Sequence, residues 1–109
     1  MIIHVKNKDT LKIDDFILKC CVGVNGLTSI KREGDLATPK GLFKLEKLYF
    51  RKDKVGTPIC KITKKIITKN MAWCDEPNSP KYNEEISTQR KKLKENLYRK
   101  DNKYDYIIT

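Results

Sequence analysis

Residues 23–45 read GVNGLTSIKREGDLATPKGLFKL, and the punctuation of this stretch decides what kind of fold can contain it. Asn25-Gly26 readily supplies positive φ angles and marks a turn. Gly34-Asp35 marks a second. Pro39 holds Thr38 in extended or polyproline-like angles, and Gly41 frees the chain to bend into the segment that follows. That segment, LFKLEKLYF at 42–50, sets Leu42, Lys44, Glu46 and Leu48 against Phe43, Leu45, Lys47 and Tyr49. A period of two belongs to a strand. The stretch is a loop feeding a strand.

Working outward, the same signals repeat. Upstream, IIHVK and TLKI read as short strands, Asp14-Asp15 as a turn, and FILKCCVG as an apolar run of strand length ending at Gly23. Downstream, ICKITKKIIT at 59–68 is a further strand. MAWCDEPNSPKYN, 71–83, reads as a loop, because two prolines among Asp, Asn and Ser oppose regular structure. Ser87 is placed to cap a helix running to Lys100, with Leu93 and Leu97 stacked four residues apart on its buried side. YDYIIT, 104–109, is the last strand. The expectation is one domain over residues 1–109, mainly β with one helix.

Composition narrows the class. The 109 residues are 39% hydrophobic and 35% charged, which suits a polar globular chain. No segment approaches the roughly 20 apolar residues of a membrane span, and the start lacks the pattern of a signal peptide. The net charge is +10. It has two readings, attraction to a polyanion or a solvated lysine surface. The lysines are spread out, and Arg32, Arg51, Arg90 and Arg99 are the only arginines. Bidentate phosphate and base contacts favour arginine, so no nucleic-acid partner is expected. The basic run QRKKLKENLYRK reads as a solvated helix face. Cys20, Cys21, Cys60 and Cys74 lack the paired spacing of a zinc site, and no metal is expected. They are equally compatible with buried free thiols or a disulfide.

Taken in order, CCVGVNG, KREGDLATPKGLFKL, LYFRKDKV, WCDEPNSPKYN and LYRKDNKYDYIIT resemble the first part of the L,D-transpeptidase catalytic domain, the YkuD-like family. The likeness runs from about Cys20 to Thr109. It implies a β-rich domain that cross-links or remodels peptidoglycan in the periplasm or cell wall, partnered by peptide stems, with no metal or organic cofactor. In that family a cysteine thiolate attacks a stem carbonyl, expels the terminal D-amino acid and forms a thioester, which an amine or water resolves. A histidine that lowers the thiol pKa and backbone N–H groups facing the oxyanion make this chemistry feasible. The family's histidine and Gly-Cys segment lie beyond the strand that YDYIIT resembles. No glycine follows Gly56 here, so no catalytic residue is assigned and the chain is expected to be the front portion of a longer domain.

The resemblance also frames the remaining side chains. Trp73, Tyr82 and Asn83 bracket a loop that either lines a substrate groove or only plugs the core edge and caps a turn. Arg32 and Asp35 either fix their loop through an ion pair or meet a substrate carboxylate. The family pattern has a cysteine before its VG-x-x-G turn, where Cys20 stands, which implies a Cys20–Cys74 bridge. Alternatively Cys74, exposed in a polar loop, forms a thiol–imidazole dyad with His4. Three functions follow from these readings. The first is a stem-processing domain without its catalytic pair. The second is a non-catalytic stem-binding remnant, and the third a small basic nucleic-acid module.

Overall fold

A computed structural model describes residues 1–90 and 94–109. These are mainly β, with a single short helix among them. They divide into two compact units, Met1–Leu42 and Phe43–Thr109.

The first unit opens with an antiparallel meander of β1 (Ile3–Val5), β2 (Thr10–Ile13) and β3 (Phe16–Lys19). Asp14, at φ 49°, makes the turn between the second and third. The register sets Ile3, Ile13 and Phe16 opposite one another, and likewise Val5, Leu11 and Leu18. Directly opposed residues share a face, so the alternation seen in the sequence becomes one apolar side and one carrying His4 and Lys12. FILKCCVG is a strand only as far as Lys19, four residues before the expected end at Gly23.

The second half of this unit comes from the stretch quoted at the outset. β4 (Leu27–Thr28) and β5 (Thr38–Pro39) pair in parallel. The Thr38 N–H donates to the Gly26 carbonyl and the Lys40 N–H to that of Thr28, each at 2.8 Å. The ladder thus skips Pro39, whose missing donor costs nothing there. Gly23 sits where the chain passes closest to itself. Its N–H donates to Thr38 Oγ1 at 2.8 Å, and a Cβ on it would meet the Leu36 carbonyl oxygen at 2.3 Å and Ala37 Cα at 2.7 Å. Both obstacles are backbone, so neither swings away. Gly23→Ala is expected to open this pairing by about 1–3 kcal/mol, read as a roughly 10- to 100-fold faster amide exchange at Thr38 and Asn25. Unchanged exchange at both would show that the close approach is not tight.

The second unit contains β6 (Lys47–Phe50), α1 (Lys52–Val55), β7 (Thr63–Ile66), β8 (Met71–Cys74), β9 (Glu85–Ser87), β10 (Lys94–Asn96) and β11 (Tyr106–Ile108). Two three-stranded sheets result, ordered β11-β6-β7 and β10-β8-β9. The central strand of each is the most buried one. Leu48, Tyr49 and Phe50 on β6 are all buried, as are Met71, Ala72 and Cys74 on β8. Tyr49, Ile67, Met71 and Leu97 form a core cluster, with Trp73, Tyr98, Tyr104 and Ile107 against it.

Three expectations need correction in this unit. The helix from Ser87 to Lys100 does not form: Ser87 ends β9, and Lys94–Asn96 is the strand β10. Leu97 is buried as expected, but as a core residue after a strand, while Leu93 lies outside the described residues. Residues 71–83 are not all loop, since the first four are β8 and the prolines begin after them. Residues 42–50 are strand only from Lys47. The reason is common to the first two. An apolar central strand needs a partner on each side, and that demand outweighs the modest preferences of the polar segments recruited to meet it.

The single-turn helix is an anchor. Gly56, at φ 70°, ends it. Arg51, buried at its start, donates from Nε and Nη2 to the Asp53 carboxylate at 2.8 and 2.7 Å, and from Nη1 to the Arg99 carbonyl at 2.5 Å. Its guanidinium lies 3.7 Å from the centre of the Tyr98 ring. Lys54 donates to the carbonyls of Lys100 and Asp101. One turn of helix thereby holds the segment leading into β11.

Candidate peptide-binding groove

β6, β8, β9, β11 and the loop before β9 together border an open groove of about 710 Å³ in the second unit. Its walls include Tyr49, Trp73, Asn83, Glu85, Ile107 and Thr109. Tyr49 and Trp73 meet edge to face, with ring centres 6.0 Å apart and planes at 89°. Such pairs favour this geometry because the positive ring edge faces the negative face.

Polar contacts fix both rings. The Trp73 indole N–H donates to Asn83 Oδ1 at 2.9 Å. Asn83 has φ 59°, a left-handed conformation that Asn tolerates, and its N–H donates to the Cys74 carbonyl at 2.8 Å. The Tyr49 hydroxyl donates to Glu85 Oε2 at 2.9 Å, and Lys65 Nζ donates to both oxygens of the same carboxylate at 2.9 Å. Burial, then the hydrogen bond to Glu85, pushes the Tyr49 phenol up to about 12. For Glu85, burial opposes ionisation, but the Lys65 and Tyr49 hydrogen bonds outweigh it and hold the carboxyl below its usual range. At neutral pH the groove therefore presents a fixed carboxylate beside two aromatic rings.

The structure brings two of the five expected groove residues together here, Trp73 and Asn83. Trp73 packs against the core, and Asn83 makes a turn. Tyr82 is not on the groove wall; it is partly exposed, with its N–H on the Ser79 carbonyl. Arg32 and Asp35 belong to the first unit. The ion pair expected between them forms instead between Lys31 and Asp35, at 2.5 Å. Arg32 contributes its backbone N–H to Asp35 Oδ2 at 2.8 Å, and Ala37 its N–H to Oδ1 at 2.9 Å. The Lys31 hydrogen bond, with those of Arg32 and Ala37, lowers the Asp35 carboxyl to about 2. Asp35 thus organises its own loop, closing the turn in which Gly34 takes φ 74°.

All four cysteines are free thiols, and Cys20 and Cys74, the pair of the implied bridge, belong to different units. Cys74 is not an exposed loop thiol: it ends β8, the strand of Trp73, and is buried with Ala72 and Ile86. Among the described residues no group of three or more His, Cys, Asp or Glu side chains could hold a metal ion, and no helix is long and apolar enough to cross a membrane.

Sequence reasoning missed Tyr49, Lys65 and Glu85. Tyr49 stood in the alternating run and Lys65 in the next, but their meeting with Glu85 depends on the parallel pairing of β6 with β7 and on β9 lying beside β8. No spacing rule links residues 49, 65 and 85.

Comparison with protein families, curated proteins and solved structures finds no match for this chain.

Proposed function

We propose that the groove of the second unit holds a peptide stem of peptidoglycan, as the stem-handling part of an L,D-transpeptidase-like, YkuD-like β-rich domain acting in the periplasm or at the cell wall. The observation that carries the reading is the meeting of Trp73 and Asn83. Both come from WCDEPNSPKYN, a segment on which the family resemblance rests, and they are hydrogen-bonded to each other on one groove wall. Aromatic faces suit the aliphatic parts of a stem, and the Glu46 carboxylate suits an amine on it.

Binding is the function assigned to these residues, and acyl transfer is not. The family's histidine and Gly-Cys segment have no counterpart in the sequence, and the thiol nearest the groove in sequence, Cys74, is buried. That burial favours the non-catalytic form of the same reading.

Trp73 is the only tryptophan, so its emission reports on the groove alone. Titration with a disaccharide-tetrapeptide is expected to give a saturable change in that emission, with no release of the terminal D-residue. No change at millimolar stem would end the proposal. Release of the D-residue by this chain would instead make it a working enzyme, with a nucleophile not identified above.

A further inference from the structure

We infer that Cys20 and Cys21 are a two-electron redox site. A small disulfide closes them into a bond between neighbouring residues, and closure loosens the join between the β1–β3 meander and the β4–β5 pair. The inference concerns Met1–Leu42 alone and does not rest on the stem reading.

The early end of β3 is what makes the pair usable. Successive side chains of a strand point to opposite faces, so a β3 that ran on to Gly23 would have held the two thiols apart. The strand stops at Lys19 instead, and residues 20–23 adopt no regular structure. Both thiols are free, with Cys21 exposed and Cys20 half-buried. Cys60 has no thiol next to it in the chain, and Cys74 is buried. The 20–21 pair therefore combines access for a reagent with a second sulfur one residue away.

The step is thiol–disulfide exchange. The Cys21 thiolate attacks one sulfur of the small disulfide, and one small thiolate leaves. The Cys20 thiolate then attacks Cys21 Sγ, forming the Cys20–Cys21 bond and expelling the second small thiolate. The two cysteines lose two electrons and the small disulfide gains them. The two cysteine protons end on the two small thiols released. Proximity favours the second attack, because its nucleophile sits on the adjacent residue.

Closure strains the backbone at a defined place. Consecutive Cα atoms are about 3.8 Å apart, whereas a relaxed disulfide spans roughly 4.4–6.8 Å between its Cα atoms. The peptide between residues 20 and 21 must therefore twist. Two hydrogen bonds flank it. The Cys20 N–H donates to the Asp9 carbonyl at 3.0 Å, extending the β2–β3 pairing, and the Gly23 N–H donates to Thr38 Oγ1 at 2.8 Å. The first ties the segment to the meander and the second ties it to β5. Strain also makes the bond easy to reduce, which suits a reversible site and not a permanent staple.

The test uses the whole chain with glutathione disulfide as the probe, then alkylation of the remaining thiols and tryptic digestion. Cleavage after Lys19 and Lys31 isolates CCVGVNGLTSIK. After oxidation this peptide is expected to lack two hydrogens and to carry neither alkyl group nor glutathione. Excess reduced glutathione should restore both alkylatable thiols. In Cys20→Ser, glutathione should stay on Cys21. Amide exchange at Cys20 and Gly23 should quicken roughly two- to tenfold on oxidation, as for a weakened hydrogen bond. The inference is overturned if the parent peptide retains glutathione, if both thiols remain alkylatable, or if Cys21 links two chains. A bond that resists excess reduced glutathione, or one that forms with exchange at both amides unchanged, would overturn it as well.

Discussion

Leu97→Ala is expected to remove about 2–5 kcal/mol from the stability of the second unit, the range for truncating a leucine in a core that cannot collapse around the gap. Leu97 is 2% exposed and belongs to the cluster of Tyr49, Ile67 and Met71. A unit of this size is held by roughly 3–10 kcal/mol in total, so the loss consumes much of it. The consequence extends to the groove, because Trp73 and Ile107 pack against the same cluster and also line the site. Urea unfolding followed through Trp73 should show the midpoint falling sharply or the cooperative transition disappearing. Ile59→Ala, at a fully exposed site, should change stability by no more than about 0.5 kcal/mol. If the two variants unfold alike, the core described above is not the one that holds the unit together.

The second large effect is on a proton. Tyr49 is the buried hub of the groove, and its phenol is raised from 10.0 to about 12 by burial first and by Glu85 second. The change is about a hundredfold in the proton equilibrium. Its sign follows from linkage. The folded state holds this proton more tightly than the unfolded one, so the contribution is complete below pH 10 and is lost as pH climbs toward 12. Glu85 behaves in the opposite way. Its carboxyl is lowered from 4.5 in the fold, so its contribution is present above that value and lost as pH falls through the folded pKa.

Spectrophotometric titration of the five tyrosines can isolate the first effect. The difference between the parent chain and Tyr49→Phe should be a single ionisation centred near 12. Glu85→Gln should bring that ionisation only part of the way back toward 10, because burial, the larger cause, remains. Tyr104 is also raised, by burial and Glu95, but it persists in both proteins and cancels from the difference. A difference curve centred near 10 would mean that Tyr49 is neither buried nor bonded as described.

The parts of this structure that were legible beforehand share a cause. TLKI is a strand at the expected residues, Asn25-Gly26 and Gly34-Asp35 are turns, and YDYIIT contains a strand. In each case the information is local, because a period of two, a positive φ or a β-branched run acts within a few residues of itself. The mainly β character follows from adding these up.

The failures share a cause too. Residues 87–100 have leucines at helical spacing, yet Lys94–Asn96 is drawn onto β8, whose apolar residues need cover on both sides. Trp73, Tyr82 and Asn83 were singled out because they flank one loop, and of these Trp73 and Asn83 meet. The cluster of Tyr49, Lys65 and Glu85 escaped notice because its members come from three strands of two sheets.

By itself, then, the sequence determined the strand-rich class, the turns, the charge and the absence of any Gly-Cys segment, since each is a property of neighbouring residues or of a count. The tertiary structure alone decided which strands are central, that Cys74 is buried, and which groups share the groove. Those outcomes depend on contacts between residues tens of positions apart. Such contacts form only when apolar strands find their partners, and no local preference encodes that choice.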